Sequence, residues 1–316
     1  MIVVSTGCPA GVGPEVSVAA AARSKQPCVL VGDLGTLVDA ARLVGIPSAR
    51  LVPFTGRAER GKIHVYHVGP AIAPRERRAK SAGKAQLAYV DAAYDLVKQA
   101  PGRALVTAPV SKEAIARSGS GPARRFRGHT EWLGERDGAR RTVMCFVAPS
   151  FSTSLVTTHL PLSKVPRAVD APSVTAAVVA LADLLKQLGI RRPRIAVTSL
   201  NPHAGEGELL GSEEKRAIVP GMRGAGRALR LTGPIGAETA YRKAHAGEFD
   251  GVVAMYHDQA TIPLKLVAFG AAVNVTMGLS IVRTSVDHGT GYDIAWKGRA
   301  DPSGMSAAIA LAARLL

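Results

Sequence analysis

Aromatic residues make up only 4% of this chain, so any core must be built from aliphatic side chains. Cysteine is scarcer still. Cys8, Cys28 and Cys145 are far apart and form no C-x-x-C pair, which argues against a disulfide framework or a thiolate zinc site. Cys28 and Cys145 fall within strand-like runs and are expected to be buried. No apolar run approaches the roughly 18 residues that span a bilayer. The opening MIVVSTGCPAGVGPE carries no basic segment and soon breaks into Gly and Pro, unlike a secretory leader. A cytoplasmic protein without membrane association is expected.

Acidic residues are also under-represented, with 24 Asp and Glu against 40 Lys and Arg and a net charge of +16. The basic residues cluster in RERRAK at 75–80, at Arg124, Arg125 and Arg127, at Arg140 and Arg141, and at Arg191, Arg192 and Arg194. None of these clusters interleaves aromatics, fits a recognition helix or has zinc-finger spacing. They read as solvated loops and helix faces, and no specific nucleic-acid partner is expected.

The 33 glycines suit many tight strand-to-helix turns. Strand-length apolar runs recur: MIVVS, PCVLVGD, RALVTAP, TVMCFVAP, STSLVTTH, RIAVTSL, GVVAMYH, AAVNVTM and SIVRTSV. Helical segments are predicted over 82–99, 174–188, 212–228, 237–246 and 306–316. Strand alternating with helix implies an α/β fold with a largely parallel sheet. TVMCFVAP and STSLVTTH are too close for a crossover helix, so that pair should be antiparallel and the sheet mixed. A chain of 316 residues is long enough for two domains or one large one, since single cores stop growing near roughly 250–300 residues. No linker composition marks a boundary. The expected division is a terminal α/β domain of 1–128 plus 285–316 and a central α/β domain of 129–284 that carries most metal and substrate residues.

Three histidines follow apolar or β-branched runs: His159 in SLVTTHLPL, His203 in IAVTSLNPHAGEGE and His257 in GVVAMYHDQATIP. In α/β proteins such positions fall at the carboxyl ends of strands, where ligands bind. Imidazole is the commonest zinc ligand, so the three are candidate ligands of one ion, and one such histidine alone would be an ordinary loop residue. Asn201, Glu206, Glu208 and Asp258 lie nearby as possible partners. STGCPAGVGPE is either a phosphate-type turn or a structural one, since it fits neither G-x-G-x-x-G nor the P-loop. In LVTAPVSKEAI, Ser111 is a predicted N-cap and Lys112 an exposed first-turn residue or an anion contact. In RFRGHTEWL, His129 and Thr130 at a helix start would suit phosphate, with Thr130 as a plain N-cap the alternative. Lys265, Asn274 and Arg283 punctuate apolar runs, where charged or polar groups should meet a ligand or counter-ion.

Taken together, GCPAGVGPE, TAPVSKEA, GHTEWL, TTHLPL, LNPHAGEGELLGSEE, MYHDQ and TSVDHGTGYDIAWKGRAD resemble the 4-hydroxythreonine-4-phosphate dehydrogenase (PdxA) family of pyridoxal phosphate, or vitamin B6, biosynthesis. The resemblance spans nearly the whole chain. It implies the isocitrate/isopropylmalate dehydrogenase type of fold, two α/β domains with the active cleft between them, and a homodimer with a shared active site. It implies His159, His203 and His257 as ligands of a divalent metal (Zn, Mg or Co), with His257 coming from the neighbouring subunit. His129, Thr130, Lys265, Asn274 and Arg283 would bind the small phosphorylated hydroxy-acid substrate, and Lys265 would be the catalytic base. Asp287, His288, Gly289, Thr290 and Asp293 resemble the adenosine-binding loop for NAD or NADP. Cys8 stands where an acidic residue is usual, Glu238 and Tyr241 where Asp and Phe are, and Ala260 and Thr261 where Gly and an aliphatic residue are common.

The implied reaction is NAD(P)- and metal-dependent oxidation of 4-phosphooxy-L-threonine to 2-amino-3-oxo-4-phosphooxybutanoate, which decarboxylates to 3-amino-2-oxopropyl phosphate. Relatives act on threonate or erythronate phosphates and on aromatic dihydrodiols. A metal-dependent hydrolase or aldolase could also use three histidines and a phosphate site, but would not need the loop at 287–293.

Overall fold

The computed structural model describes every residue except 78, 79, 120 and 122 and the side chains of 80 and 81. Part of the basic run at 75–80 therefore lies outside the described residues. Twelve strands are found among the described residues: β1 (Ile2–Ser5), β2 (Cys28–Gly32), β3 (Leu51–Pro53), β4 (Ile63–His67), β5 (Ala104–Thr107), β6 (Val143–Val147), β7 (Ser152–Leu155), β8 (Arg194–Thr198), β9 (Arg230–Ile235), β10 (Gly251–Ala254), β11 (Val273–Met277) and β12 (Arg283–Ser285). The chain divides into two compact units, residues 1–139 with 279–316 and residues 140–278. The sequence had suggested cuts at 128/129 and 284/285. One consequence is that His129, Thr130 and Arg283 all belong to the unit of the termini.

In the first unit the strand order is β3-β4-β2-β1-β5-β12, and every pairing is parallel. Helices Gly13–Arg23, Lys80–Lys98 and Ser303–Arg314 flank these strands, and β1, β2 and β5 are buried at every position. Such strands read as continuous apolar runs because both faces are covered. Val3, Val29, Val31 and Leu105 pack with Tyr89, Val90 and Ala93 of helix Lys80–Lys98, each large aliphatic side chain contributing roughly 1.5–3 kcal/mol by burial. The core is aliphatic, as the scarcity of aromatics requires.

In the second unit the order is β11-β6-β7-β10-β8-β9. The β11–β6 and β6–β7 pairs are antiparallel, while β7–β10, β10–β8 and β8–β9 are parallel. The short β6–β7 connection has the expected consequence. Phe146, Phe151, Leu155, Val252, Ala260 and Leu264 form this unit's core. β3, β4 and β9 were not anticipated, since β3 is short and β9 is only half-buried. The helix predicted over 212–228 is instead a π-helical turn, Glu214–Ile218, continued by Val219–Gly224. Cys8, Cys28 and Cys145 are free and buried.

Candidate active site

The glycine turn after β1 is built for close backbone approach. A side chain at Gly7 (φ +72°) would meet Pro109 O at 2.2 Å, one at Gly11 would meet Thr290 O at 2.6 Å, and one at Gly13 would meet Thr6 O at 2.3 Å. These close approaches give the glycines a structural reason of their own. Val12 N donates to Thr290 O at 2.9 Å, which ties the turn to the 287–293 loop. The buried Glu15 carboxylate accepts Trp296 N at 2.8 Å and Gly298 N at 3.1 Å, and Trp296 Nε1 donates to Pro9 O at 3.0 Å. The loop is thus fixed from its flank. His288, Gly289 and Asp293 are exposed along it, while Asp287 and Thr290 are half-buried.

Basic side chains gather at the start of helix His129–Asp137. Gly128 precedes this helix without side-chain capping, so His129 and Thr130 occupy its first two positions and Thr130 is not the N-cap. His129 Nε2 is sealed from solvent with no hydrogen-bond partner. Burial, reinforced by the positive charges of Arg283 and Lys112, holds the imidazole pKa well below its ordinary value, so the ring is neutral near pH 7. Arg283 is 3% exposed and donates to Thr107 Oγ1 at 2.6 Å. Desolvation lowers its pKa to about 10, with Glu131 opposing the shift. A guanidinium held this dry is suited to an anionic ligand. Ser111 caps its helix as expected, accepting Ala114 N at 3.1 Å, and Lys112 is exposed.

A cavity of about 420 Å³ in the first unit is lined by Cys8, Ala10, Arg77, Gln86, Ser111 and Tyr292 among others. Cys8 Sγ lies 3.4 Å from Tyr292 Oη.

The three candidate metal ligands belong to the second unit and follow three neighbouring strands, β7, β10 and β8. The His159 and His257 rings face each other with centroids 5.6 Å apart. His257 Nδ1 lies 2.6 Å from Asp258 Oδ1. A proton shared there fixes the ring and leaves Nε2 to face an ion, the usual arrangement of a metal-ligating histidine. His203 sits in a left-handed turn (φ +50°) at Pro202–Gly205. Among the described residues, no group of three His, Cys, Asp or Glu side chains lies close enough within one chain to hold an ion. The chain thus brings together His159 and His257, the pair that the resemblance assigned to different subunits. Of the nearby residues, Asp258 meets a histidine, Glu208 pairs with Lys215, and Asn201 turns to Glu213 and Glu214.

Lys265 is exposed where its apolar neighbours in sequence suggested burial. It lies on the exposed face of helix His257–Ala268, so its charge needs no buried counter-ion. Asn274 is half-buried on β11 and its Oδ1 lacks a partner.

The family model of "Pyridoxal phosphate biosynthetic protein PdxA" matches residues 23–312. A 4-hydroxythreonine-4-phosphate dehydrogenase of Desulfosudis oleivorans is 40% identical, over 99% of this chain and 95% of that protein. This chain belongs to the PdxA family. Among solved structures, 4-hydroxythreonine-4-phosphate dehydrogenase from Klebsiella pneumoniae aligns over 100% of this chain and 99% of its own with TM-score 0.83 and 33% identity. A terephthalate 1,2-cis-dihydrodiol dehydrogenase from Burkholderia xenovorans aligns over 99% and 97% with TM-score 0.68 and 29% identity. The α/β architecture agrees with the isocitrate/isopropylmalate dehydrogenase type of fold expected for PdxA proteins.

Several residues that shape this PdxA member escaped the sequence reading. Gln86 falls on the same helical stripe as Ala82, Tyr89, Val90 and Ala93, all buried. A polar residue inside an apolar stripe was the available signal. Glu214 is 6% exposed and accepts Leu200 N and Asn201 N, each at 2.9 Å. It holds the chain entering the His203 turn, but its carboxylate sits on a helical segment that carries no periodic sign of that contact.

Proposed function

We propose that this protein is an NAD(P)- and divalent-metal-dependent dehydrogenase that oxidises 4-phosphooxy-L-threonine to 2-amino-3-oxo-4-phosphooxybutanoate in vitamin B6 biosynthesis, in the cytoplasm. The observation that carries the reading is the pairing of a sealed, neutral His129 with a desolvated Arg283. The two groups suit a phosphorylated or carboxylated small molecule. Family membership supplies the reaction class.

In this reading His129 and Thr130 hold the phosphate end, with a neutral imidazole able to present an N–H to a phosphate oxygen. Arg283 fixes a second anionic oxygen, and Asn274 offers an unused amide oxygen to a hydroxyl or amine. His159, His203 and His257 would hold the cation, and the Asp258-oriented ring of His257 fits that role. The loop residues Asp287, His288, Gly289, Thr290 and Asp293 would hold the adenosine end of the cofactor. When bound, the nicotinamide supplies a hydride acceptor and the cation supplies Lewis acidity at the hydroxyl oxygen. Lys265 is assigned to accept the hydroxyl proton. The β-keto acid product then loses carbon dioxide to give 3-amino-2-oxopropyl phosphate.

The reading includes a homodimer with a shared site. Leu209 (83% exposed), Leu266 (81%) and Phe269 (86%) are large apolar side chains on the second unit, as an isologous interface would require. The test is a panel of 4-phosphooxy-L-threonine, threonate 4-phosphate and erythronate 4-phosphate assayed for NADH or NADPH formation. The first should have the highest kcat/KM. A clear preference for either sugar acid would move this protein to a different substrate within the same chemistry.

A further inference from the structure

We propose that the 420 Å³ cavity of the first unit receives the nicotinamide end of the cofactor, and that Gln86 Nε2 donates a hydrogen bond to its carboxamide oxygen. The inference rests on the nicotinamide-dependent reading above. Gln86 is 1% exposed, and its Oε1 accepts the backbone N–H of Ser111 at 2.8 Å. That bond fixes which way the amide points. Among the described residues Nε2 has no hydrogen-bond partner, on a side chain that lines the cavity. A buried donor without an acceptor costs roughly 1–3 kcal/mol, a cost that a bound acceptor removes.

The cavity walls decide what kind of acceptor fits. Ala10, Ala82 and Ala114 supply small apolar surface, suited to the face of a flat ring. Both arginines on the wall are already matched with carboxylates, Arg77 with Asp39 and Arg117 with Glu113, and Arg77 also lies over the Trp296 ring at 3.9 Å. Among the described lining residues little positive charge is left uncompensated, which suits a neutral polar group. Cys8 and Tyr292 complete it with a thiol and a phenol. An amide donor in a nearly neutral, flat-sided cavity of this size matches a planar carboxamide. Tyr292 also belongs to the segment of the 287–293 loop, so the cavity adjoins the chain assigned to the adenosine end.

The test compares Gln86→Glu, which retains the acceptor for Ser111 N–H and loses the donor, with Gln86→Met, which keeps the approximate shape. Titration calorimetry of the purified protein would measure Kd for NAD⁺ or NADP⁺, whichever the parent binds, and for the matching ADP-ribose lacking nicotinamide. Loss of one buried hydrogen bond should weaken the dinucleotide about tenfold and leave ADP-ribose within about twofold. Melting temperature identifies a variant that fails to fold, and the other variant then decides. Dinucleotide affinity equal to the parent's would overturn the inference and leave the nicotinamide reading standing. Equal weakening of both ligands would also overturn it, because Gln86 would then act through the fold. A parent that binds no dinucleotide at all would defeat the nicotinamide reading itself.

Discussion

The Glu15 carboxylate accepts the backbone N–H of Trp296 at 2.8 Å, joining residues 281 positions apart in the chain. The GPE end of the first glycine-rich motif and the YDIAW segment of the last are therefore one structure. Glu15 is 1% exposed and also receives Gly298 N, so nothing but this acceptor satisfies either donor from that side. Glu15→Ala should destabilise the protein by about 2 kcal/mol or more, since two donors lose a buried acceptor. Urea unfolding measures the loss, and limited proteolysis should show new cleavage within 287–298. Parent-like stability would mean that the loop is held elsewhere.

Arg283 allows a charge kept for binding to be told from a charge kept for folding by mutation. Its guanidinium is buried, while Glu131, the carboxylate that acts on it, is exposed and would remain hydrated without it. Arg283→Met should therefore leave stability within about 1 kcal/mol of the parent and raise KM for the phosphorylated substrate at least tenfold. A variant that melts early with unchanged kinetics would make Arg283 structural.

His129 makes stability depend on pH with a definite sign. The ring resists protonation in the folded state and takes a proton at its ordinary pKa of 6.5 when unfolded. Below about pH 6.5 the unfolded state binds more protons, so stability falls as pH falls through that value toward the depressed folded pKa. His129→Asn should flatten this limb. The check is the pH dependence of urea midpoints from pH 7.5 down to about pH 5, parent against variant. Parallel curves would contradict it.

Much of this molecule was legible in its sequence because strand periodicity and turn chemistry are local. The apolar runs at β1, β2 and β5, the N-cap at Ser111 and the antiparallel turn between β6 and β7 follow from neighbouring residues alone. The candidate histidines were also visible, each placed just after a strand. What the sequence hid depends on distant partners. Gln86 is defined by a contact to Ser111, and Glu15 by one to Trp296. Whether Lys265 is buried could not be read from its apolar neighbours, because Ile262, Leu266 and Phe269 lie on an exposed helix face and not in a core. The glycine turn could be read either as a phosphate-type turn or as a structural one, and the close approach of Pro109 and Thr290 that supplies the structural reason depends on distant chain.

The histidines give a prediction about assembly. The His159 and His257 rings lie with centroids 5.6 Å apart within one chain, and no group of three His, Cys, Asp or Glu side chains able to hold an ion is found among the described residues, so a shared site built on this pair should take His203 from the partner. Mixing inactive His159→Ala and His203→Ala proteins should restore activity in about one quarter of sites, since half the dimers are hybrids with one intact site. Mixing His159→Ala with His257→Ala should restore none. The reverse pattern would place His257 on the partner instead. If subunits exchange and neither mixture recovers, all three histidines serve one chain.

The most direct measurement is a single reaction of the purified protein with 4-phosphooxy-L-threonine and NAD⁺ or NADP⁺, followed by reduced cofactor and by mass analysis of the product. The account predicts stoichiometric formation of reduced cofactor and 3-amino-2-oxopropyl phosphate, abolished by a chelator and restored by a divalent cation. Consumption of the substrate with no reduced cofactor, by phosphate release or carbon–carbon cleavage, would contradict it and return the site to hydrolase or aldolase chemistry.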